Sequence, residues 1–187
     1  MHRALAPAAV YRLRAHLRRG GVIAYPTESV YGLGCLPTHA RALRRLMAIK
    51  ARPQHKGLIS IGADSMQLQP LLAPLTTAQQ LTLQQQWPAA KTFLIPARHT
   101  VLPALRGRGR KVLAVRVPAH SGARRLCRQA GSALVSSSCN RAGMRPYRHE
   151  RDVRRRFGRQ VWVVGGRCGG KRNPSQIIDL LSGVRLR

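Results

Sequence analysis

Short apolar runs, set between segments of helical period and cut by proline or polar residues, constrain this chain more than any compositional total. Val22-Ile23-Ala24-Tyr25 runs into Pro26, Thr92-Phe93-Leu94-Ile95 into Pro96, and Ala133-Leu134-Val135 into Ser136. Leu58-Ile59-Ser60-Ile61, Val112-Leu113-Ala114-Val115-Arg116-Val117 and Val161-Trp162-Val163-Val164 are of the same kind. Runs this short read as buried strands. Between them, Val10, Leu13 and Leu17 recur at helical spacing before Gly20-Gly21. Leu43, Leu46 and Met47 follow Thr38, the expected N-cap, and Leu126 and Cys127 follow Ser121, which is expected to cap a further helix. Asp64 is expected to cap a short helix bearing Leu68, Leu71 and Leu72, and the Gln-rich stretch 77–86 with Leu81 and Leu83 is expected to be helical. Some strands follow one another with no helix between, so the pattern predicts an α/β fold with a mixed parallel and antiparallel sheet flanked by helices.

The length of 187 residues suits one domain over 1–187, and an apolar fraction of 44% is too high for a disordered polymer. No apolar run approaches the roughly 18–20 residues that cross a bilayer, so no membrane partner is expected. Cys35, Cys127, Cys139 and Cys168 form no CxxC pair and have no His at metal-ligand spacing. Neither a zinc knuckle nor a disulfide framework is encoded, which points to a reducing, cytoplasmic setting. The first nineteen residues are Arg-rich and free of acids, as in a transit peptide, yet they lack Ser and lead straight into the first strand. They read as a helix of the domain.

Charge is the outlier. Thirty-four Lys and Arg stand against 5 Asp and Glu, a net +29, and 29 of the cations are Arg. Such an excess seeks polyanions, and nucleic acid is the natural one. Drift in base composition would raise Arg in the same way, and the arginines spread along the chain mark no footprint. Both readings stay open.

Polar groups gather at the strand ends and in the loops after them: Thr27, Lys50, Arg52, Lys56, Thr92, Arg116, Ser136, Ser138 and Asn140. Open α/β sheets bind ligands in the crevice beyond their strand ends. Taken singly, Lys50 and Arg52 also suit a solvated helix end, and Ser136 to Asn140 an ordinary turn. Taken together, Lys50, Arg52 and Lys56 are fixed cations of the sort a polyphosphate needs. Glu28, Asp64, Glu150, Asp152 and Asp179 are the only carboxylates, too dispersed for a two-metal site, and no Walker loop occurs. No protein metal site is expected.

The order Tyr25-Pro26-Thr27-Glu28, Tyr31-Gly32-Leu33-Gly34, Lys50-Ala51-Arg52-Pro53 and Ser138-Cys139-Asn140 resembles the YrdC/Sua5 family of threonylcarbamoyl-AMP synthases, in its short single-domain form. The likeness runs from about residue 8 to 183. It implies a twisted, open sheet with a concave basic surface. It also implies synthesis of L-threonylcarbamoyl-AMP from L-threonine, bicarbonate or CO2 and ATP, with Mg²⁺ carried on the ATP and pyrophosphate released. A separate transferase complex would then modify the adenosine at position 37 of tRNAs. By the resemblance Lys50, Arg52, Ser138 and Asn140 are the catalytic signature and Thr27 and Arg116 meet the threonine. Lys56, Thr92 and Ser136 join Lys50, Arg52 and Ser138 along the nucleotide. The chain departs from the family at Trp87-Pro88-Ala89-Ala90-Lys91, where Pro-Gly-Pro and an apolar residue usually precede the threonine, and at Cys139, which usually is Ala. A non-catalytic module binding double-stranded RNA or tRNA on the same fold is the alternative.

Overall fold

In the computed structural model, which describes residues 5–53 and 55–187, the first helix α1 (Pro7–Arg18) buries Leu13 and Leu17 and leaves Tyr11 exposed. Pro at its start removes a donor that would otherwise go unpaired. Gly20, at a φ of 81°, then turns the chain into the sheet. There β1 (Ile23–Pro26) and β2 (Tyr31–Gly34) form an antiparallel hairpin. Pro26 lies inside β1, paired with Tyr31, because it stands at the strand's end and a missing N–H costs nothing there. The chain continues through α2 (Ala40–Lys50), β3 (Ile59–Ile61), a 3₁₀ turn at Gln69–Leu71, α3 (Thr77–Gln86), β4 (Lys91–Pro96) and α4 (Pro103–Arg106). It ends with β5 (Val112–Arg116), α5 (Ser121–Ala130), β6 (Leu134–Ser138), α6 (Glu150–Phe157), β7 (Trp162–Val163) and β8 (Gln176–Asp179).

Eight strands form one sheet in the order β7-β1-β2-β6-β3-β5-β4-β8. The β7/β1, β3/β5 and β4/β8 pairs are parallel, and the rest antiparallel. Strand β6 joins two halves. Residues 134–136 pair with β3, and Ser137 and Ser138 with Leu33 and Gly32 of β2.

The faces are covered unequally. Leu43, Leu46 and Met47 of α2, Leu83 of α3, Leu105 of α4 and Phe157 of α6 pack with Leu33, Phe93, Ile95, Leu113, Val115 and Val135 on one face. On the other face, Leu13 and Leu17 of α1 and Leu126 and Cys127 of α5 pack with Ile23, Tyr25, Ile61 and Leu134. Ile59, Ala114 and Leu94 share that second face by register, yet stay only half-buried. An open strip therefore crosses the middle of the sheet.

Several local expectations are corrected. The N-caps are His39 and His120, not Thr38 and Ser121: each ring Nδ1 accepts the N–H three residues on, at 3.3 and 3.1 Å. Asp64 accepts the Gln67 N–H at 3.0 Å but begins a tight turn rather than an α-helix. Thr76 and Gln79 cap α3 reciprocally, and Leu83 packs inward while Leu81 stays exposed. β2, α4, α6 and β8 were not expected as elements, because their apolar patterns are too short or too interrupted by charge to stand out.

Candidate active site

The C-terminal end of α2 meets the end of β6 through one side chain. Lys50 is buried to 3% exposure, and its ammonium donates to the carbonyls of Ser138 and, at 2.9 Å, Asn140, with Asn140 Oδ1 at 3.5 Å. The Ser138 hydroxyl donates to the same Oδ1 at 2.6 Å, and the Ala142 N–H returns to the Lys50 carbonyl at 2.8 Å. Burial, then the neighbouring Arg52, push the Lys50 ammonium down to about 8, with Cys139 opposing. The carbonyls oriented at Nζ are what keep such a cation tolerable inside the protein.

Ala51 takes a left-handed conformation, with a φ of 49°, and caps α2, which turns Arg52 back over the following loop. Arg52 donates to the carbonyls of Lys56 at 3.1 Å and Gly57 at 2.6 Å. Burial and Arg110 lower its pKa from the ordinary value, though a guanidinium remains charged. Lys56 itself is exposed and meets Arg52 through its backbone rather than its ammonium.

Thr27 and Ser136 come together across Gly32: a Cβ there would lie 3.3 Å from Ser136 Oγ and 3.5 Å from the Thr27 methyl. Thr27 Oγ1 donates to the Val30 carbonyl at 2.7 Å. Arg116, at the end of β5, pairs with Glu28 at 3.5 Å, both side chains being under a tenth exposed. Glu28 Oε1 accepts the Ala119 N–H at 2.9 Å, whereas Glu28 Oε2 and Arg116 Nε are buried without a hydrogen bond. Thr92 is fully buried and shares a 2.9 Å hydrogen bond with Ser175. A loop closes over Thr27 and Glu28, with the Gly169 N–H on Thr27 O at 3.0 Å and the Lys171 N–H on Glu28 O at 2.9 Å.

The nine expected residues therefore fall into linked groups: Lys50, Ser138 and Asn140; Arg52 and Lys56; Thr27 and Ser136; Arg116; and Thr92. The Tyr25 hydroxyl is tied to β6 just before Ser136, donating to the Val135 carbonyl at 2.8 Å, and burial raises its pKa. Glu28, Ser175 and the 169–171 backbone were missed as site residues. A carboxylate next to Thr27, in a chain with so few acids, was a signal for Glu28; Ser175 had none, since its role depends on β8 lying beside β4. The unusual loop is tied down by its backbone, with the Ala89 N–H on Val117 O and the Gln176 N–H on Ala90 O. Lys91 turns its ammonium to Gln86 Oε1. Cys139 is buried, and burial pushes its thiol up to about 12, which is the behaviour of a packed small residue. Cys35 and Cys127 behave alike, and Cys168 is half-buried. No three His, Cys, Asp or Glu side chains gather as metal ligands among the described residues, and no described helix is long and apolar enough to cross a membrane.

An open α/β sheet with buried cations and hydroxyls near its strand ends has the arrangement that suits a small anionic ligand. The chain belongs to the Sua5/YciO/YrdC family, whose model, described as telomere recombination, matches residues 15–187. It is 59% identical over 185 residues to the threonylcarbamoyl-AMP synthase of Neisseria gonorrhoeae, covering 99% of this chain and 98% of that one. With the threonylcarbamoyl-AMP synthase of Laribacter hongkongensis it shares 50% over 187 residues and the whole of both chains. Among solved structures it resembles P. abyssi Sua5 complexed with L-threonine at a TM-score of 0.86 and 26% identity, over 98% of this chain. The likeness takes in 54% of the Sua5 chain. E. coli YciO follows at a TM-score of 0.77 and 26% identity, over 92% of this chain and 84% of that one.

Proposed function

We infer that this chain is a threonylcarbamoyl-AMP synthase that joins L-threonine, CO2 or bicarbonate and ATP, releasing pyrophosphate. The observation that carries the reading is the buried Lys50, gathered with Ser138 and Asn140 beside Arg52. Threonine's free amine attacks CO2 and loses a proton, giving a carbamate. A carbamate oxygen then attacks the α-phosphate of ATP, and the bond to pyrophosphate breaks. Lys50 and Arg52 would offset the charge that gathers on the phosphates, with Lys56 reaching in from the exposed loop. Arg116 would take the threonine carboxylate while Glu28 holds its other side, and Thr27 would contact the amino acid. Thr92, Ser136 and Ser138 would line the nucleotide. Holding three reactants together supplies much of the acceleration, and no covalent enzyme intermediate is needed.

Mg²⁺ would enter on the ATP phosphates. The product would pass, in the cytoplasm, to a separate transferase complex acting on tRNA, and the basic surface suits transient contact with that tRNA. The test is pyrophosphate release by purified protein given ATP, Mg²⁺, L-threonine and bicarbonate. Release should need threonine, and Lys50→Ala or Arg52→Ala should lower it by about a hundredfold or more. Release that ignores threonine would overturn the reading.

A further inference from the structure

A groove of about 1190 Å³ runs between α2 and α4, on the outside of the molecule. One wall is α2 and its cap, where the exposed Ala40, Ala48 and Ala51 present small side chains; the other carries Leu102, Pro103 and Ala104. Arg44, Arg106, Arg108 and Lys111 stand along its lining, and Arg52 reaches it from the candidate site. None of the chain's five carboxylates, Glu28, Asp64, Glu150, Asp152 and Asp179, is in the lining. α2, at eleven residues, offers a wall about 16 Å long, three turns of helix.

We propose that this groove docks an acidic amphipathic helix of a partner protein. Such a helix presents an apolar stripe at i, i+3, i+4 and i+7 to the Ala, Pro and Leu floor, and carboxylates on its flanks to the cationic rim. An RNA backbone matches the rim alone and leaves the apolar floor against phosphates and water, which is why a protein segment fits better. Since Arg52 belongs to both places, the docked helix lies at the edge of the candidate site, and the groove takes it whatever reaction that site runs.

The experiment measures fluorescence anisotropy of the full chain with three probes at fixed ionic strength. They are a Glu-rich helical peptide with Leu at i, i+3, i+4 and i+7, a scrambled peptide of equal composition, and a short RNA duplex. The amphipathic peptide should bind at least tenfold more tightly than the scrambled one. Ala48→Trp, which fills the groove, and the double change Arg44→Glu with Arg108→Glu should each weaken it tenfold, while Arg12→Glu on the far helix α1 should not. Both groove variants are checked for an unchanged melting transition, and the double change carries the test if Ala48→Trp fails to fold. Equal binding of the scrambled peptide, indifference to the groove variants, or displacement of the peptide by RNA with the same variants weakening the RNA would overturn the proposal.

Discussion

At the residue scale, the cost of burying a cation is also a means of control. The folded Lys50 has its pKa near 8, below its ordinary value of 10.5. Between those two values the unfolded chain holds the proton more tightly than the folded one, so stability rises with pH across that window, and below it the buried charge costs stability. A bound triphosphate has the opposite effect, because its negative charge favours the ammonium and binding draws in a proton. The KM for ATP should therefore rise about fivefold between pH 8 and pH 9, as the free enzyme loses that proton. Initial rates at saturating threonine would show it, and a flat KM across that range would refute it. Arg116 makes the contrasting case. Its partner Glu28 is buried beside it at 3.5 Å, so that cation faces an opposite charge rather than carbonyls alone.

At the scale of elements, the seam between β2 and β6 decides whether the site exists. Gly34 pairs with Ile23, and a Cβ on it would fall 2.4 Å from the Val135 carbonyl and 2.7 Å from the Tyr25 ring. Both obstacles are fixed, one being backbone and the other a fully buried aromatic. Gly34→Ala should thus destabilise the protein by about 2 kcal/mol or more, and should depress activity even where the variant is folded, since β6 carries Ser136 and Ser138. Chemical denaturation with parallel rate measurements checks both effects. The sequence made β1, β4, β5 and β6 legible because their apolar runs are continuous. β2 was hidden, since Tyr31-Gly32-Leu33-Gly34 reads as a glycine turn, and the glycines are there for close approach across the sheet. The histidine caps were hidden for another reason: Thr38 and Ser121 are better intrinsic caps, but they stand one residue away from the N-cap position on either helix. Of the site, Lys50, Ser138 and Asn140 were legible through the resemblance of their motifs to the family, whereas the Glu28 to Arg116 pair joins positions 88 residues apart and no local pattern announces it.

For the whole molecule, a charge of +29 means that folding works against self-repulsion. Added salt screens that repulsion over a Debye length of about 10 Å at 0.1 M and 3 Å at 1 M. The melting temperature should climb by several degrees between 50 and 500 mM NaCl, and calorimetric scans showing no rise would mean that the cations are already spaced or paired well enough. The loop that lies over Thr27 and Glu28 has a practical side as well. Three of the four thiols are sealed in the core, whereas Cys168, although burial raises its pKa too, is half-exposed and donates to the Arg148 carbonyl at 3.4 Å. A maleimide dye would therefore choose Cys168 without any engineered cysteine, and would ride on the segment whose Gly169 N–H rests on Thr27. The native chain comes with its own attachment point for an optical gauge of how that cover moves when ligands arrive.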